Sequence, residues 1–212
     1  MTHQPAIPTL RLALLATLAL LVGILATPLL YAAPQPDPVP RRWELTVEPG
    51  PLRVTTINLP EEGPRAFYYF TYRVTNNTGS DQTLAPIFEL YTDDGEILRS
   101  NRRVPRDAVR RILEMLRNPL LEDEISIQGP ILPGRENAKD GLVVWPADNF
   151  RINDAIIFAV GFSGETRRYI RPDNGEEVLL RKTLELRHEV PGELNPRSSR
   201  PLERVQQRWI LR

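Results

Sequence analysis

The stretch "TYRVTNNTGSDQTLAPIFELYTDDGE", residues 71–96, alternates apolar and polar side chains, breaks at Asn-Asn-Thr-Gly, alternates again and breaks at Asp-Asp-Gly. A period of two places alternate side chains on opposite faces of a strand. Asn, Asp and Gly accept the backbone angles of tight turns. The stretch therefore predicts two hairpin corners with strands between them, and Pro86 predicts an edge position or a bulge.

The same period continues on both sides of this stretch. Upstream, "RAFYYFTYRVT" (65–75) predicts a strand that buries Tyr68, Phe70, Tyr72 and Val74. Further predicted strands are 43–47 and 52–59, separated by a turn at Pro49-Gly50-Pro51, then 124–132, 140–147, 155–162 and 177–190.

One segment has helical rather than strand periodicity. "PRDAVRRILEMLRNP", residues 105–119, places apolar residues three and four apart, with arginines on the opposite side. Pro105 suits a first helical turn and Pro119 ends a helix, so an amphipathic helix is predicted over 105–118. About ten short strands and one inserted helix, without strand–helix alternation, predict an all-β antiparallel sandwich.

The aromatic-rich strand, the "VTNNTG" corner and the following strand that ends in "TDDG" resemble immunoglobulin-like sandwich modules of exported bacterial proteins. The resemblance covers about residues 43–98, and the Cys pair of antibody domains is absent. It implies an immunoglobulin-like β-sandwich, and a role in adhesion, spacing or ligand display.

The N-terminal residues predict export. No charge occurs between Arg11 and Asp37, and residues 12–26 are almost entirely Leu, Ala, Ile and Val. Such a hydrophobic helix in residues 1–33 is either a cleaved signal peptide or a retained membrane anchor, and the sequence leaves both open. Either alternative places the rest of the chain outside the cytoplasm, in the periplasm or at the cell surface.

The remaining predicted boundaries follow from composition. Proline alternates in "PQPDPVP", which favours an extended spacer over 34–42. The sandwich is predicted over 43–190. Residues 191–212 are predicted to begin as a polar linker and to end as a strand or a short helix.

Composition excludes several classes of function. The 212 residues carry 27 basic and 27 acidic side chains, and this zero net charge argues against a nucleic-acid partner. There is no Cys, so thiolate metal sites and Cys nucleophiles are excluded. Only His3 and His188 are histidines, and "GFSGE" (161–165) lacks the final Gly of a serine-hydrolase nucleophile elbow. The sequence therefore predicts no catalytic residue and no cofactor.

Two clusters of charged residues are candidate binding sites. Asp93, Asp94 and Glu96 offer carboxylates to calcium, but the cluster lacks the spacing of an EF-hand loop, and Asp-Gly is the expected hairpin turn, which the sequence favours. A run of arginines around the predicted helix is a candidate surface for an acidic protein, an anionic lipid or an acidic glycan. Its residues are Arg102, Arg103, Arg106, Arg110, Arg111 and Arg117. The alternative is a solvated helix face that pairs with the acidic residues of 121–124.

The sequence thus predicts an exported protein of the cell envelope that acts as a non-enzymatic structural or interaction module. Its predicted partners are the membrane, if the leader is retained, and an acidic molecule at the basic helix face. Two other classes stay open: a hydrolase of carbohydrates that uses two carboxylates, and a calcium-dependent adhesion module.

Overall fold

A computed structural model describes residues 33–190, 194–197 and 200–212 of the chain. In chain order, its strands and α-helix are β1 Thr46–Leu59, β2 Gly63–Thr75, β3 Gln82–Leu84, β4 Ile87–Thr92, β5 Ile97–Arg99, α1 Arg106–Leu116, β6 Leu121–Asp123, β7 Gly129–Ile131, β8 Lys139–Pro146, β9 Asp154–Val160, β10 Thr166–Ile170, β11 Glu177–Glu189 and β12 Glu203–Leu211. The predicted N-terminal helix lies outside the described residues. Within the described ranges, none of the helices has the length and apolar character needed to cross a membrane.

Two β-sheets form the body of the protein. The first has the order β1-β2-β8-β6, and the second has the order β10-β11-β9-β4-β5 with β12 paired to β11. The pairing of β6 with β8 is parallel. The two sheets enclose one apolar core that includes Phe70 of β2, Phe88 of β4 and Leu184 of β11. The prediction of an all-β sandwich is therefore confirmed.

Strand β2 is buried on both of its faces. Tyr68, Phe70, Tyr72 and Val74 lie in the core between the sheets, as the alternation of the sequence predicts. The opposite face carries Phe67 and Tyr69, which pack with residues of α1 instead of meeting solvent. The aromatic density of β2 is thus explained by its position between two apolar layers.

Aromatic rings join the two sheets. The ring of Phe88 lies 5.0 Å from that of Tyr72, 6.1 Å from that of Phe70 and 5.8 Å from that of Phe162, measured between centroids. The Tyr72 ring also lies against Gly141, its partner on β8. A Cβ at position 141 would meet Tyr72 Cζ at 2.3 Å. Glycine at 141 therefore makes room for the ring in the core.

The predicted helix is confirmed, with bounds shifted by one or two residues. Pro105 holds extended backbone at its N-terminus, and Arg117 ends it in the left-handed conformation. Ala108 and Ile112 are its buried residues. They pack on the outer face of the first sheet, against residues of β1, β2 and β8. The helix therefore forms a third layer on one side of the sandwich.

Three local predictions are wrong. Residues 49–51 do not separate two strands, because β1 runs through them with a bulge between Pro49 and Leu52. An edge strand tolerates the missing proline N–H groups, since β1 pairs only with β2 among the described strands. Residues 124–132 contain a turn followed by β7, not one strand. The corner at 76–79 is not a hairpin.

The 76–79 corner leads from the first sheet to a separate two-stranded ribbon of β3 and β7. The buried Asn76 fixes this corner, because its side-chain amide donates to the carbonyl oxygens of Ser80 and Ile131, each at 2.8 Å. Pro86, predicted to lie at an edge position or a bulge, instead lies in the two-residue link between β3 and β4, where no strand partner needs its missing N–H. The Asp-Asp-Gly corner is the predicted hairpin, and it joins β4 to β5.

The Pro-rich segment contacts the sandwich. The Asp37 backbone N–H donates to Glu165 Oε1 at 2.8 Å, and the Asp37 carboxylate accepts from Arg167 at 3.0 Å. Further along, the Leu45 N–H donates to the Phe162 carbonyl oxygen at 2.8 Å. Residues 34–212 form one compact unit.

A buried ion cluster lies beneath this segment. Lys182 Nζ is 2.7 Å from Glu44 Oε2 and 2.9 Å from Glu165 Oε2, and the Lys182 side chain is 3% exposed. The ring of Trp209 on β12 lies 5.6 Å from the same Nζ. The C-terminal residues, predicted as a strand or a helix, are the strand β12.

Candidate functional site

The six arginines of the candidate surface surround α1, and all six are exposed. Arg102 and Arg103 precede the helix, Arg106, Arg110 and Arg111 lie on it, and Arg117 ends it. We call these six residues the basic surface. Because Ala108 and Ile112 hold the helix against the first sheet, the arginine side of α1 faces solvent.

Two of the six arginines form ion pairs. Arg103 is 3.2 Å from Glu96 and 3.4 Å from Asp148. Arg110 is 2.9 Å from Asp107 and 4.0 Å from Glu114.

The other four have no carboxylate within 4.0 Å among the described residues: Arg102, Arg106, Arg111 and Arg117. The alternative prediction is that the arginines of the helix pair with the acidic residues of 121–124. No ion pair between these two groups occurs among the described residues. Four positive charges of the basic surface therefore have no ion-pair partner in the part of the chain that the structure describes.

A groove of about 450 Å³ borders the basic surface. Val109 and Leu113 of α1 form one wall, and Leu142 and Val144 of β8 lie beneath. Residues 123–126 form the opposite wall, and Arg106 and Arg110 lie at the rim. We call this space the helix groove.

The opposite wall carries two carboxylates, and both already have protein donors. Asp123 Oδ1 accepts from the N–H groups of Ile125 at 2.8 Å and Ser126 at 2.9 Å. Burial raises the pKa of Glu124 and neighbouring Asp123 adds to this, while a hydrogen bond from Ser100 opposes them. Asp123 therefore fixes its own turn, and Glu124 is shifted toward its neutral form.

Helical geometry separates the arginines of α1. Arg106 and Arg110 line the helix groove, whereas Arg111 does not. At about 100° per residue, Arg111 is rotated by about 140° from Arg106 around the helix axis. Met115, four residues after Arg111, has its sulfur 3.9 Å from the Thr55 hydroxyl on β1. Arg106 and Arg111 therefore lie on opposite flanks of the same helix.

The calcium candidates Asp93, Asp94 and Glu96 lie in the β4–β5 turn. Both Asp93 oxygens accept from the Asn153 N–H, at 3.1 and 3.0 Å, and Oδ2 also accepts from its side-chain amide at 2.9 Å. Burial raises the pKa of Asp93, but these hydrogen bonds outweigh it and lower the pKa overall.

The other two carboxylates of this turn also have protein partners. Asp94 accepts from the Thr92 hydroxyl and from Asn149 Nδ2, and these bonds lower its pKa. Glu96 pairs with Arg103. In the ranges that the structure describes, no group of three or more His, Cys, Asp or Glu residues is arranged to hold a metal ion. Calcium binding stays a prediction.

His188 and Ser163 are not close enough for serine-hydrolase chemistry. His188 is paired with Ala155 at the start of β9, whereas Ser163 follows the end of that strand. The extended part of this path, from Ala155 to the end of β9 at Val160, alone spans about 16 Å. The Ser163 hydroxyl accepts from the Glu165 N–H at 3.1 Å, which is a turn contact.

His188 nevertheless predicts a pH effect on stability. It is 1% exposed. Burial, with a further contribution from the charge of Arg204, lowers its pKa from 6.5 to about 4. The unfolded chain takes up the proton near pH 6.5 and the folded chain only near pH 4, so protonation favours unfolding between these values. We expect the free energy of unfolding to fall by about 3 kcal/mol over this window as pH decreases.

Chemical denaturation across a pH series tests this expectation. His188→Leu should remove most of the slope between pH 6.5 and pH 4, because leucine does not titrate. A slope that persists unchanged in His188→Leu would assign it to carboxylates instead.

A hydrolase that uses two carboxylates needs them in a particular arrangement, which can be compared with the acidic residues of the helix groove. Such an enzyme holds two carboxyl groups on either side of a bound sugar. In the helix groove, Asp123 and Glu124 are consecutive residues of one wall, and the opposite wall is formed by α1. The raised pKa of Glu124 fits a general acid, but this pair does not face across the groove.

The sequence carries no local signal for the helix groove, and it marks Glu124 only as one of the acidic residues of 121–124. The spacing of Val109 and Leu113 indicates only the apolar side of a helix. The groove exists because residues 123–126 come back beside α1, and no local pattern encodes that contact. Comparison of the chain with family models, curated proteins and solved structures finds no match.

Proposed function

We propose that this protein is a non-enzymatic interaction module of the cell envelope that binds an acidic partner through the basic surface. The observation that carries the proposal is the set of four exposed arginines without a carboxylate at ion-pair distance, named above. The apolar leader supports a location outside the cytoplasm, in the periplasm or at the cell surface. Two packed sheets support an immunoglobulin-like relationship for the module.

The physical basis is electrostatic attraction. Several like charges on one surface raise the local potential and accelerate association with an oppositely charged partner. The helix holds Arg106, Arg111 and its terminal residue Arg117 in place, because its buried face is fixed to the first sheet. Binding of this kind weakens as ionic strength rises, since exposed charges are screened within about 10 Å at 0.1 M salt.

The test is site-specific photocrosslinking in intact cells. A photoreactive residue replaces Glu114, which lies among the arginines and is largely exposed. A matched position is Glu176 on the β10–β11 hairpin. We expect an adduct with an acidic molecule from position 114 and not from position 176, and we expect high salt to abolish it.

A quadruple variant gives the control for charge. Glutamine at positions 102, 106, 111 and 117 should remove most of the adduct. Four other exposed arginines, changed to glutamine together, should leave it intact: Arg42, Arg135, Arg151 and Arg197. Equal losses in both quadruple variants, or no acidic adduct at low salt, would contradict the proposal.

A further inference from the structure

The helix groove has the composition of a small-molecule site. Its wall and floor are apolar side chains of α1 and β8, and Ile125 adds an apolar side chain that is 62% exposed. Ligand pockets in proteins are typically about 300–1,000 Å³, apolar, with a few placed polar groups. The helix groove, at about 450 Å³, falls within this range.

Among the four charged side chains that line the groove, Arg106 is the one available to a ligand. Arg106 lies at the rim without a carboxylate within ion-pair distance in the described chain, and Arg110 lies one turn further along. On the other wall, the Asp123 carboxylate is occupied by the N–H groups of its own turn. Glu124 is half-buried, and its Oε1 accepts a hydrogen bond from Ser100, whereas its buried Oε2 has no hydrogen-bond partner among the described residues. Arg110 is paired with Asp107 and Glu114, so Arg106 is the charged side chain of the groove that has neither an ion pair nor a hydrogen bond among the described residues.

We propose that the helix groove binds a single-chain anionic amphiphile. Its apolar chain lies along Val109, Leu113 and Leu142, and its anionic head group pairs with Arg106. A cation would meet the Arg106 guanidinium, and a neutral chain would leave that charge unused. The proposal shares Arg106 with the basic surface but does not depend on an acidic partner there.

The experiment uses photoreactive dodecanoate, a carboxylate with one alkyl chain, and the matched dodecanol, which has no charge. The full chain is held in nanodiscs of zwitterionic lipid, so that no detergent competes for the groove. After illumination, mass spectrometry locates the adducts. We expect dodecanoate to label peptides that contain residues 106–116 and 121–126, and unlabelled dodecanoate to compete.

Matched variants distinguish the residues that contact the alkyl chain of the ligand from the residue that pairs with its head group. Ile125→Glu changes an exposed side chain, so the fold is preserved, and it should abolish labelling by both probes. Arg106→Gln should weaken dodecanoate binding about tenfold and leave dodecanol unchanged, because one charge-assisted contact is worth about 1.4 kcal/mol. Arg111→Gln, on the opposite flank, should change neither.

Several results would overturn this inference. They are adducts that lie mainly outside the groove peptides, labelling that survives Ile125→Glu, and equal weakening by Arg106→Gln and Arg111→Gln. The outcome is independent of the photocrosslinking test. A groove that binds dodecanoate in a protein that captures no acidic partner would refute the proposed function alone.

Discussion

Replacement of Lys182 by methionine is expected to destabilise the protein by about 3–5 kcal/mol, because it leaves two carboxylates in a poorly solvated site without their cation. Lys182 Nζ lies within 2.9 Å of both Glu44 and Glu165. The Glu165 side chain is 7% exposed and that of Glu44 is 22% exposed. Methionine is about as long as lysine but carries no charge. The loss of stability therefore reports the missing charge rather than a cavity.

The pKa shifts of this cluster define the pH range of its contribution. Burial raises the pKa of Glu165, but hydrogen bonds from Asp37 and Lys182 outweigh it and lower the pKa below 4.5. Burial lowers the pKa of Lys182, but the two carboxylates raise it above 10.5 overall. The cluster therefore stabilises the fold fully between these values. Its contribution is lost as pH falls through the folded pKa of Glu165 or rises through that of Lys182.

Equilibrium denaturation of a small variant set measures the effect. The triple variant Lys182→Met, Glu44→Gln, Glu165→Gln should recover most of the loss, because no unpaired charge then remains buried. Lys139→Met is the matched control, since Lys139 Nζ donates to the Ile127 carbonyl oxygen at 3.1 Å and should cost about 1 kcal/mol. If Lys182→Met and Lys139→Met cost the same, the cluster does not stabilise the fold as described.

Replacement of Phe88 by alanine is expected to cost about 3–5 kcal/mol, the range for large aromatic side chains in close-packed cores. Phe88 is 1% exposed and belongs to the second sheet, whereas its ring neighbours Phe70 and Tyr72 belong to the first. Its removal leaves a cavity between the sheets and deletes three ring contacts, which add to the transfer free energy.

A second phenylalanine provides the comparison. Phe150 is 37% exposed and lies outside the strands, so Phe150→Ala should cost less than about 1 kcal/mol. Thermal or urea denaturation of both variants measures the difference. Similar losses in the two variants would show that Phe88 does not join the sheets in the way that its position indicates.

Side-chain alternation was sufficient to predict the core face of β2, and helical spacing with two flanking prolines was sufficient to predict α1. Both signals are local, since a strand or an amphipathic helix displays its own period. The same alternation gave no reason to bury Phe67 and Tyr69, because the layer that covers them is more than thirty residues away in the chain.

The residue types that favour turns did not distinguish a hairpin from other changes of chain direction, because that distinction depends on which strands pair. Pro49-Gly50-Pro51 and Asn76 to Gly79 carry the residues of reverse turns, yet the first is a bulge and the second links different sheets. Gly50 lies where a Cβ would meet Thr71 Oγ1 at 2.4 Å, so the close approach of β1 to β2 explains this glycine. The basic surface was visible as a run of arginines, but the groove beside it required the tertiary fold.

Position 141 has an evolutionary consequence. Any mutation there adds a side chain into space that the ring at position 72 already occupies, so it survives only if residue 72 is replaced by something smaller. Residues 72 and 141 are thus selected together. If residue 141 changes before residue 72, the resulting protein has an overpacked core. Related lineages should accordingly keep glycine opposite an aromatic residue, or exchange both together.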